Sequence, residues 1–188
     1  MHPNFEYLKS YFDISEESFY LLQQVSSKKI LKANTKIAEA GKKGTKLYQL
    51  NSGIARSFIV TESGKEWNKN LYSPTSFVGP LTAISLDKPS LLTFETLTDC
   101  EVYEVDFIMF LEHAKKHIDI SNLYNKILEK VYIAYEKRQI EFITLNAIER
   151  YKKLQKNIPE IDSLIPQFQI ASYLNITPVQ LSRIRKQI

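Results

Sequence analysis

Hydrophobic residues in the first part of the chain recur every three or four positions, the spacing of one face of an α-helix. Over residues 4–25 these apolar positions are Phe5, Leu8, Phe12, Phe19 and Leu22. Ser15, followed by two glutamates, predicts the start of a second helix. A serine can cap the first turn, and acidic side chains favour the positive end of the helix. We interpret the aromatic stripe as core packing.

From residue 30 to residue 106 the pattern becomes that of β-strands. Short β-prone runs alternate with turn signals such as Asn51-Ser52-Gly53 and Glu62-Ser63-Gly64. The runs are LYQL (47–50), IARSFIVT (54–61), KEWNKNLY (65–72), LLTFETL (91–97) and EVYEVD (101–106). This texture predicts a small antiparallel barrel or sandwich.

A long helical pattern follows the strands. Asp106 is suited to cap a helix over residues 107–117, and a segment without glycine or proline then runs from residue 118 to residue 151. A helix of that length measures about 45 Å, which is too long for the interior of a small domain. We expect it to connect domains, to pair with a copy of itself, or both. The alternative is a helix, straight or kinked, that lies along the β domain.

The last stretch, residues 165–188, predicts two short helices joined by a tight turn. Asn175 suits the turn, because asparagine tolerates the left-handed conformation. The run from Thr177 to Gln180 is a helix start, with a threonine cap, proline at the first position and glutamine three residues after the cap. The apolar positions that can face a core are Phe168, Ile170, Ala171, Leu174, Ile176, Leu181 and Ile184. This is the pattern of a helix-turn-helix.

Composition narrows the class of protein. The 188 residues are 44% hydrophobic and 24% charged, with a net charge of +4. A single cysteine, Cys100, excludes an internal disulfide and a multi-cysteine metal or iron–sulfur site. No apolar run reaches the ~18–20 residues of a membrane span, and no signal peptide is evident. We expect a bacterial-type cytoplasmic protein without cofactor or metal. The chain shows no motif of an enzyme active site.

The charge in the last stretch indicates DNA as a partner. Residues 166–188 contain Arg183, Arg185 and Lys186 and no acidic residue. Arginine can pair with the guanine edge and glutamine with adenine, while hydroxyls and lysine contact phosphates. We expect Arg183 to read bases first and Gln180 second. The candidate DNA-binding residues are Gln169, Thr177, Gln180, Ser182, Arg183, Arg185 and Lys186. The alternative is a capped amphipathic helix pair with a solvated basic face.

Taken in order, the parts resemble the Crp/Fnr family of transcription regulators. The motifs that carry the resemblance are LYQLNSGIAR (47–56), GKE (64–66), FVG (77–79), IASYL (170–174) and TPVQLSRI (177–184). The resemblance implies an α+β fold: an N-terminal antiparallel β-roll of the cyclic-nucleotide-binding type (a double-stranded β-helix), a long dimerisation helix and a C-terminal all-α helix-turn-helix. The corresponding domains are a cyclic-nucleotide-binding-like effector domain at 1–116, the dimerisation helix at 117–150 and the DNA-binding domain at 151–188.

The sequence departs from the cyclic-AMP-binding members at their ligand residues. Those members carry a Gly-Glu pair and, about ten residues later, an Arg-Ala pair. Here Gly79 is followed by Pro80, and Pro89 by Ser90-Leu91. A phosphate without its arginine forfeits a charge-assisted bond of roughly 1.5–3 kcal/mol, so we expect no useful binding of cyclic AMP. The candidate effector-pocket residues are Arg56, Phe77, Gly79, Pro80, Leu81, Ser90, Leu92 and Thr93.

The functional expectation is a homodimeric regulator that reads an inverted repeat in double-stranded DNA. RNA polymerase is a candidate further partner, and the effector is an unknown small molecule or none. Many relatives have Arg and Glu where this chain has Pro178 and Val179, so we expect a different operator. The printed sequence ends at Ile188 without the hairpin many relatives carry, so we expect affinity to depend on dimerisation. The rival is a ligand-sensing or protein-interaction module with a degenerate DNA-binding domain.

Overall fold

The structure is a computed structural model that describes Lys9 and residues 13–188. Phe5, Leu8 and Phe12 of the predicted helical stripe lie outside the described residues. The chain divides into two compact units. The first unit consists of two segments, the residues up to Ser27 and Val105–Thr144. The second unit consists of Lys28–Glu104 and Leu145–Ile188. The second unit therefore contains most of the β-strands together with the predicted helix-turn-helix.

Strands and helices fall largely where the pattern places them. The strands are β1 (Ser26–Leu31), β2 (Lys36–Ala38), β3 (Lys46–Ser52), β4 (Ala55–Val60), β5 (Glu66–Tyr72), β6 (Phe77–Val78), β7 (Thr93–Thr96) and β8 (Cys100–Asp106). The helices are α1 (Glu16–Gln24), α2 (Leu81–Ser85), α3 (Phe107–Ala114), α4 (Ile118–Thr144), α5 (Ala147–Asn157), α6 (Ile161–Leu164), α7 (Gln167–Tyr173) and α8 (Pro178–Arg185). Ser15 and Asp106 cap α1 and α3 as predicted, each accepting a backbone N–H three residues on.

Two four-stranded sheets form the β-roll, in the orders β1-β8-β3-β6 and β2-β7-β4-β5. The pairs β2–β7, β3–β6, β4–β5 and β4–β7 are all antiparallel. Side chains from both sheets fill the interior. They are Tyr48, Leu50, Ala55, Val78, Phe94, Cys100 and Val102, with Leu31, Ile37, Ala38, Tyr72 and Leu92 at its margin. The predicted α+β fold with an antiparallel roll is confirmed.

The first four residues of β4 are buried on both faces of the strand, which explains the lack of simple hydrophobic alternation there. Ala55 lies in the roll interior, whereas Arg56 faces the helices that follow residue 145. Those helices have an apolar core of their own, which also takes in Ile54 and, at its margin, Leu71 and Leu97 from the strands. The outer side of the sheet β2-β7-β4-β5 therefore seats the C-terminal helices of the same unit.

In the first unit, Asp119 at the start of α4 ties α1 to α4. Its carboxylate accepts hydrogen bonds from the hydroxyls of Ser15 and Ser18, each 2.7 Å long, and from the backbone N–H of Ser15. Burial raises the pKa of Asp119, but these hydrogen bonds stabilise the charged form more strongly and lower the pKa to about 2. Phe107, Phe110 and Tyr124 pack ring to ring between α3 and α4.

The predicted single helix over 118–151 is wrong in one respect, because it is interrupted near residue 145. Helix α4 ends at Thr144, and α5 starts at Ala147. Asn146 accepts the backbone N–H of Glu149, and the Glu149 side chain accepts the backbone N–H of Asn146. This capping box begins a new helix even though the segment has no glycine or proline.

No helix in the described part of the chain is long and apolar enough to cross a membrane.

Candidate nucleic-acid interface

The last two helices have the geometry of a helix-turn-helix. Between α7 and α8, Asn175 adopts the left-handed conformation (φ 56°), as its residue type predicted. The backbone N–H of Ile176 donates to the carbonyl of Ala171, which closes the turn. Thr177 caps α8. Its side-chain hydroxyl accepts the backbone N–H of Gln180, and the side-chain oxygen of Gln180 accepts the backbone N–H of Thr177. The turn and the cap of α8 are therefore formed by residues close together in the sequence.

A common apolar core holds the two helices at their crossing. Ala171 is fully buried where α7 and α8 pack. The other buried members are Ile170, Leu174, Leu181 and Ile184 from the two helices and Tyr151, Leu154, Ile158, Ile161 and Ile165 from the preceding segment. Burial, then the hydrogen bond to Asp162, raises the pKa of Tyr151 to about 12. The residues of α8 that do not enter this core are left to solvent.

We call the exposed side chains of Ser182, Arg183, Lys186 and Gln187 the reading face. None of the four makes a side-chain hydrogen bond or ion pair with the described part of the chain. Val179 is also exposed, at the start of the helix. Ser182 and Arg183 thus present a hydroxyl and a cation on a short, capped helix, and Lys186 and Gln187 add a second cation and an amide directly after its last residue. This chemistry suits contacts to phosphates and base edges.

Two predicted DNA-binding residues are partly engaged within the chain. The side-chain oxygen of Gln180 accepts from the backbone N–H of Thr177 at 2.8 Å, and the Thr177 hydroxyl is used in the same cap. The Arg185 guanidinium lies 3.6 Å from Asp162. To contact adenine through both its amide oxygen and its amide nitrogen, Gln180 would have to break its hydrogen bond to the backbone N–H of Thr177. Arg183 and Lys186 carry no such restraint.

Gln169 lies in a different place from the other candidates. It is 5% exposed and packs against the β-roll instead of facing solvent. Its side-chain oxygen accepts from Arg56 Nη1 at 3.0 Å and from Asn68 Nδ2 at 2.7 Å. Ser172, one turn later on α7, accepts from the backbone N–H of Asn68 at 2.8 Å. We call Arg56, Asn68, Gln169 and Ser172 the polar junction.

Arg56, a predicted effector-pocket residue, also belongs to the polar junction and not to the roll interior. Its Nε and Nη2 donate to Glu95 at 2.9 and 2.7 Å, and its Nη1 lies 2.7 Å from Glu66. Sequence reasoning missed Asn68, Ser172 and the two glutamates. The available signal was an arginine in a mostly apolar strand, since a buried arginine requires a partner.

The other candidate effector residues lie around the loop that joins β6 to β7. Gly79 has φ 143°, and a Cβ there would lie 2.8 Å from Leu47 Cδ2, so only glycine fits. Buried Pro80 precedes α2 and offers no side-chain cap. The Ser90 hydroxyl donates to the carbonyl of Leu92 and accepts its N–H. Thr93 accepts the N–H of Ala40. Ser90 and Thr93 are thus occupied by local backbone.

Aromatic side chains occupy the inside of the roll near this loop. The rings of Tyr72 and Phe94 lie 6.4 Å apart. The Tyr72 hydroxyl pairs with Ser57 Oγ at 3.2 Å and accepts from Asn70 at 3.4 Å. Burial raises the pKa of Tyr72, as desolvation disfavours the charged phenolate. Of the predicted pocket set, Leu92 borders this interior.

The described residues contain no group of three or more histidine, cysteine or carboxylate side chains able to hold a metal ion. Cys100 is buried in the roll, and burial raises the pKa of its thiol. A buried thiol with a raised pKa reacts slowly, since the thiolate is the nucleophilic form. The cysteine is therefore a packing residue.

Residues 28–117 match the family model of the cyclic nucleotide-binding domain. This span covers the β-roll from residue 28 onwards and the helix after it, so the cyclic-nucleotide-binding-like part of the predicted fold is confirmed. A comparison with curated protein sequences gave no match.

Solved structures with the same fold include FixK2 from Bradyrhizobium japonicum, with TM-score 0.70 and 17% identity over 87% of this chain and 84% of that one. A Eubacterium rectale protein described as belonging to the Crp/Fnr family has TM-score 0.73 and 15% identity, covering 97% and 87%. The c-di-GMP-responsive regulator CLP of Xanthomonas campestris has TM-score 0.64 and 14% identity, covering 92% and 91%. The predicted resemblance is thus confirmed for the fold, along nearly the whole chain.

Proposed function

We propose that this chain, which has a cyclic nucleotide-binding domain within the fold of the Crp/Fnr regulators, is a transcription regulator that binds DNA through α8. The observation that carries the proposal is the reading face. It presents Arg183 and Lys186 on a capped helix of a helix-turn-helix, and residues 166–188 contain no acidic residue to oppose a phosphate backbone. In this proposal Arg183 contacts a guanine edge and Lys186 a phosphate.

A homodimer is the proposed assembly, and exposed apolar residues along α4 support it. Val131, Tyr132, Tyr135, Ile140 and Ile143 are all exposed in the single chain. Apolar patches of this kind mark protein–protein contact surfaces. Paired α4 helices would present two copies of α8 to one duplex, and such a dimer reads half-sites about 34 Å apart in an inverted repeat.

The β-roll is proposed to be a sensor that does not use cyclic AMP. Pro80 follows Gly79 and Ser90-Leu91 follows Pro89, so neither a carboxylate nor a guanidinium stands at these positions. Tyr72 and Phe94 occupy the interior. A cyclic phosphate placed there would be desolvated without a counter-charge, which costs more than its contacts would return.

Charge reversal at Arg183 tests the proposal. Operators would first be selected from a random pool of duplex DNA, and affinity then measured by fluorescence anisotropy at two salt concentrations. Arg183→Glu should weaken binding at least about 100-fold, because it removes a base contact and adds repulsion. Sedimentation should show the same oligomeric state as the wild type. Adding cyclic AMP should leave the wild-type affinity unchanged.

Lys88→Glu is the matched control, since it makes the same change in net charge at an exposed site of the roll. It should retain affinity within about threefold. Equal losses in the two variants would mean that only net charge matters, and α8 would not be the reader. The competing function, a ligand-sensing or protein-interaction module, is favoured if no DNA sequence is enriched.

A further inference from the structure

The polar junction joins α7 of the helix-turn-helix to two strands of the β-roll. Gln169 contributes one oxygen that accepts from both Arg56 and Asn68, and its backbone carbonyl accepts a further bond from Asn68 Nδ2 at 2.9 Å. Five hydrogen bonds join the four residues of the junction, two of them through backbone atoms, and three of the four residues are buried. Buried, fully satisfied polar networks of this kind specify one arrangement of the elements they join.

The junction also satisfies the free edge of a sheet. Strand β5 is the last strand in the order β2-β7-β4-β5, so its outward backbone groups have no partner strand. Ser172 accepts the outward N–H of Asn68 and donates weakly to the carbonyl of Glu66. The helix α7 therefore takes the place of a further strand at this edge.

A register shift in β5 aims Asn68 at the junction. Ser57 pairs with Asn70 and Phe58 with Asn68, so Lys69 opposes no residue of β4. An extra residue of this kind reverses the facing of the side chains on either side of it. Asn70 accordingly meets Tyr72 and Ser57 at the roll interior, while Asn68 meets Gln169. Two asparagines two positions apart thus serve opposite sides of one sheet.

The junction leaves the reading face uncovered. With Gln169 and Ser172 held by the roll, the side chains of Ser182, Arg183 and Lys186 remain exposed. The contact does not mask α8; it sets the direction in which α8 points.

We propose that the polar junction acts as a latch that fixes the helix-turn-helix on the β-roll in its DNA-reading pose. Gln169 is then a positioning residue and makes no contact with DNA. The inference rests on the proposed function, because a pose matters only if α8 reads DNA. It goes further by naming the residues that would connect the interior of the β-roll to the helix-turn-helix. In β7, Phe94 lies in the roll interior and the next residue, Glu95, holds Arg56.

Displacement of Phe94 by an occupant of the roll would therefore move Glu95 and strain the latch. Opening the latch frees the helix-turn-helix to rotate, and binding must then restore its order. Ordering of this kind weakens affinity without removing any protein–DNA contact.

The first test measures the latch without DNA. Spin labels at Ser63→Cys, on the exposed β4–β5 turn, and Gln187→Cys, after α8, report the distance between roll and helix-turn-helix. Cys100 is 1% exposed and stays unlabelled. When labelled chains are diluted into excess unlabelled protein, so that only the two labels within one chain are paired, pulsed electron resonance should give one narrow distance distribution. Adding Gln169→Met, which keeps the size and removes the acceptor, should broaden it. A distribution that stays narrow overturns the latch.

The second test measures operator affinity in unlabelled variants that unfold cooperatively above the assay temperature. Gln169→Met should weaken binding about tenfold through lost preorganisation. Gln169→Glu keeps an acceptor for Arg56 and Asn68 and should retain affinity within about threefold. If Gln169 touched DNA instead, the new carboxylate would lower affinity most of all, and that result overturns the proposal. Unchanged or tighter binding by Gln169→Met overturns it as well.

Asn68→Asp and Asn70→Asp form a matched pair. Both make the same chemical change on β5, but only Asn68 donates to Gln169. Asn68→Asp should behave as Gln169→Met does, and Asn70→Asp as the wild type. Equal effects of the two would overturn the latch. If the wild type binds no DNA sequence, the proposed function fails, while the spin-label distances still decide whether the latch exists.

Discussion

The polar junction and the reading face have similar chemistry in opposite surroundings. Each is built on one arginine with amide and hydroxyl side chains nearby. At the junction Arg56 is 6% exposed and contacts Glu66, Glu95, Asn68 and Gln169. On the reading face Arg183 is exposed and its guanidinium has no partner within the described chain. A buried guanidinium must have its partners inside the protein, whereas an exposed one is free to take them from a ligand.

The comparison teaches that residue type alone does not separate structure from recognition. Gln169 and Gln180 both belong to the helix-turn-helix, and both resemble base-reading glutamines in sequence. Gln169 accepts bonds from the roll, and Gln180 accepts bonds from its own helix cap. Their roles therefore depend on the groups within the protein to which each glutamine is hydrogen-bonded.

The largest expected effect is a difference between Arg56 and Arg183 in their contribution to the free energy of unfolding. Arg56→Met leaves Glu95, whose side chain is 13% exposed, without its counter-charge, so we expect a loss of about 3 kcal/mol in the free energy of unfolding. Arg183→Met removes only an exposed side chain and should change that free energy by less than about 0.5 kcal/mol. Urea unfolding followed by circular dichroism measures both. Similar losses would contradict the division into a structural and a recognition arginine.

A smaller effect concerns the cap of α8. Thr177→Ala removes the acceptor for the Gln180 N–H and should cost about 1 kcal/mol of unfolding free energy. Because the cap also orders the first turn below the reading face, operator affinity should fall by a few-fold at the same time. Thr177→Ser is the control, since a serine hydroxyl can restore the cap. Loss of the cap in both variants would show that the threonine methyl, and not the hydroxyl, matters.

The smallest expected effect distinguishes two cations at the end of α8. Lys186→Gln should reduce the slope of log affinity against log salt by about 0.9, the value for one phosphate contact. Arg185→Gln should change the slope less, because Arg185 lies beside Asp162 at 3.6 Å. Anisotropy titrations over a range of salt concentrations give both slopes. Equal slopes for the two variants would mean that the ion pair with Asp162 opens on DNA.

Sequence reasoning reached some details and missed others for identifiable reasons. The Thr177–Gln180 cap and the left-handed Asn175 follow from residues within three or four positions, so local chemistry predicts them. The break before α5 had an equally local signal, the Asn146–Glu149 capping box, which the absence of glycine and proline from the segment obscured. The contacts of the β-roll were harder to predict from the sequence. Arg56 lies on the outer face of β4, and where a strand is buried on both faces its hydrophobic pattern does not show which face a residue occupies.

The sequence by itself determined the order of the parts: an antiparallel roll, a long helix and a capped helix-turn-helix with a basic exposed face. Those features depend on periodicity, caps and turn residues that act over a few positions. Only the tertiary structure decided that Gln169 belongs to the roll and not to the reading face. That contact joins Arg56 to a residue 113 positions away. Burial by distant elements, and not residue type, determines which polar groups remain available to a partner.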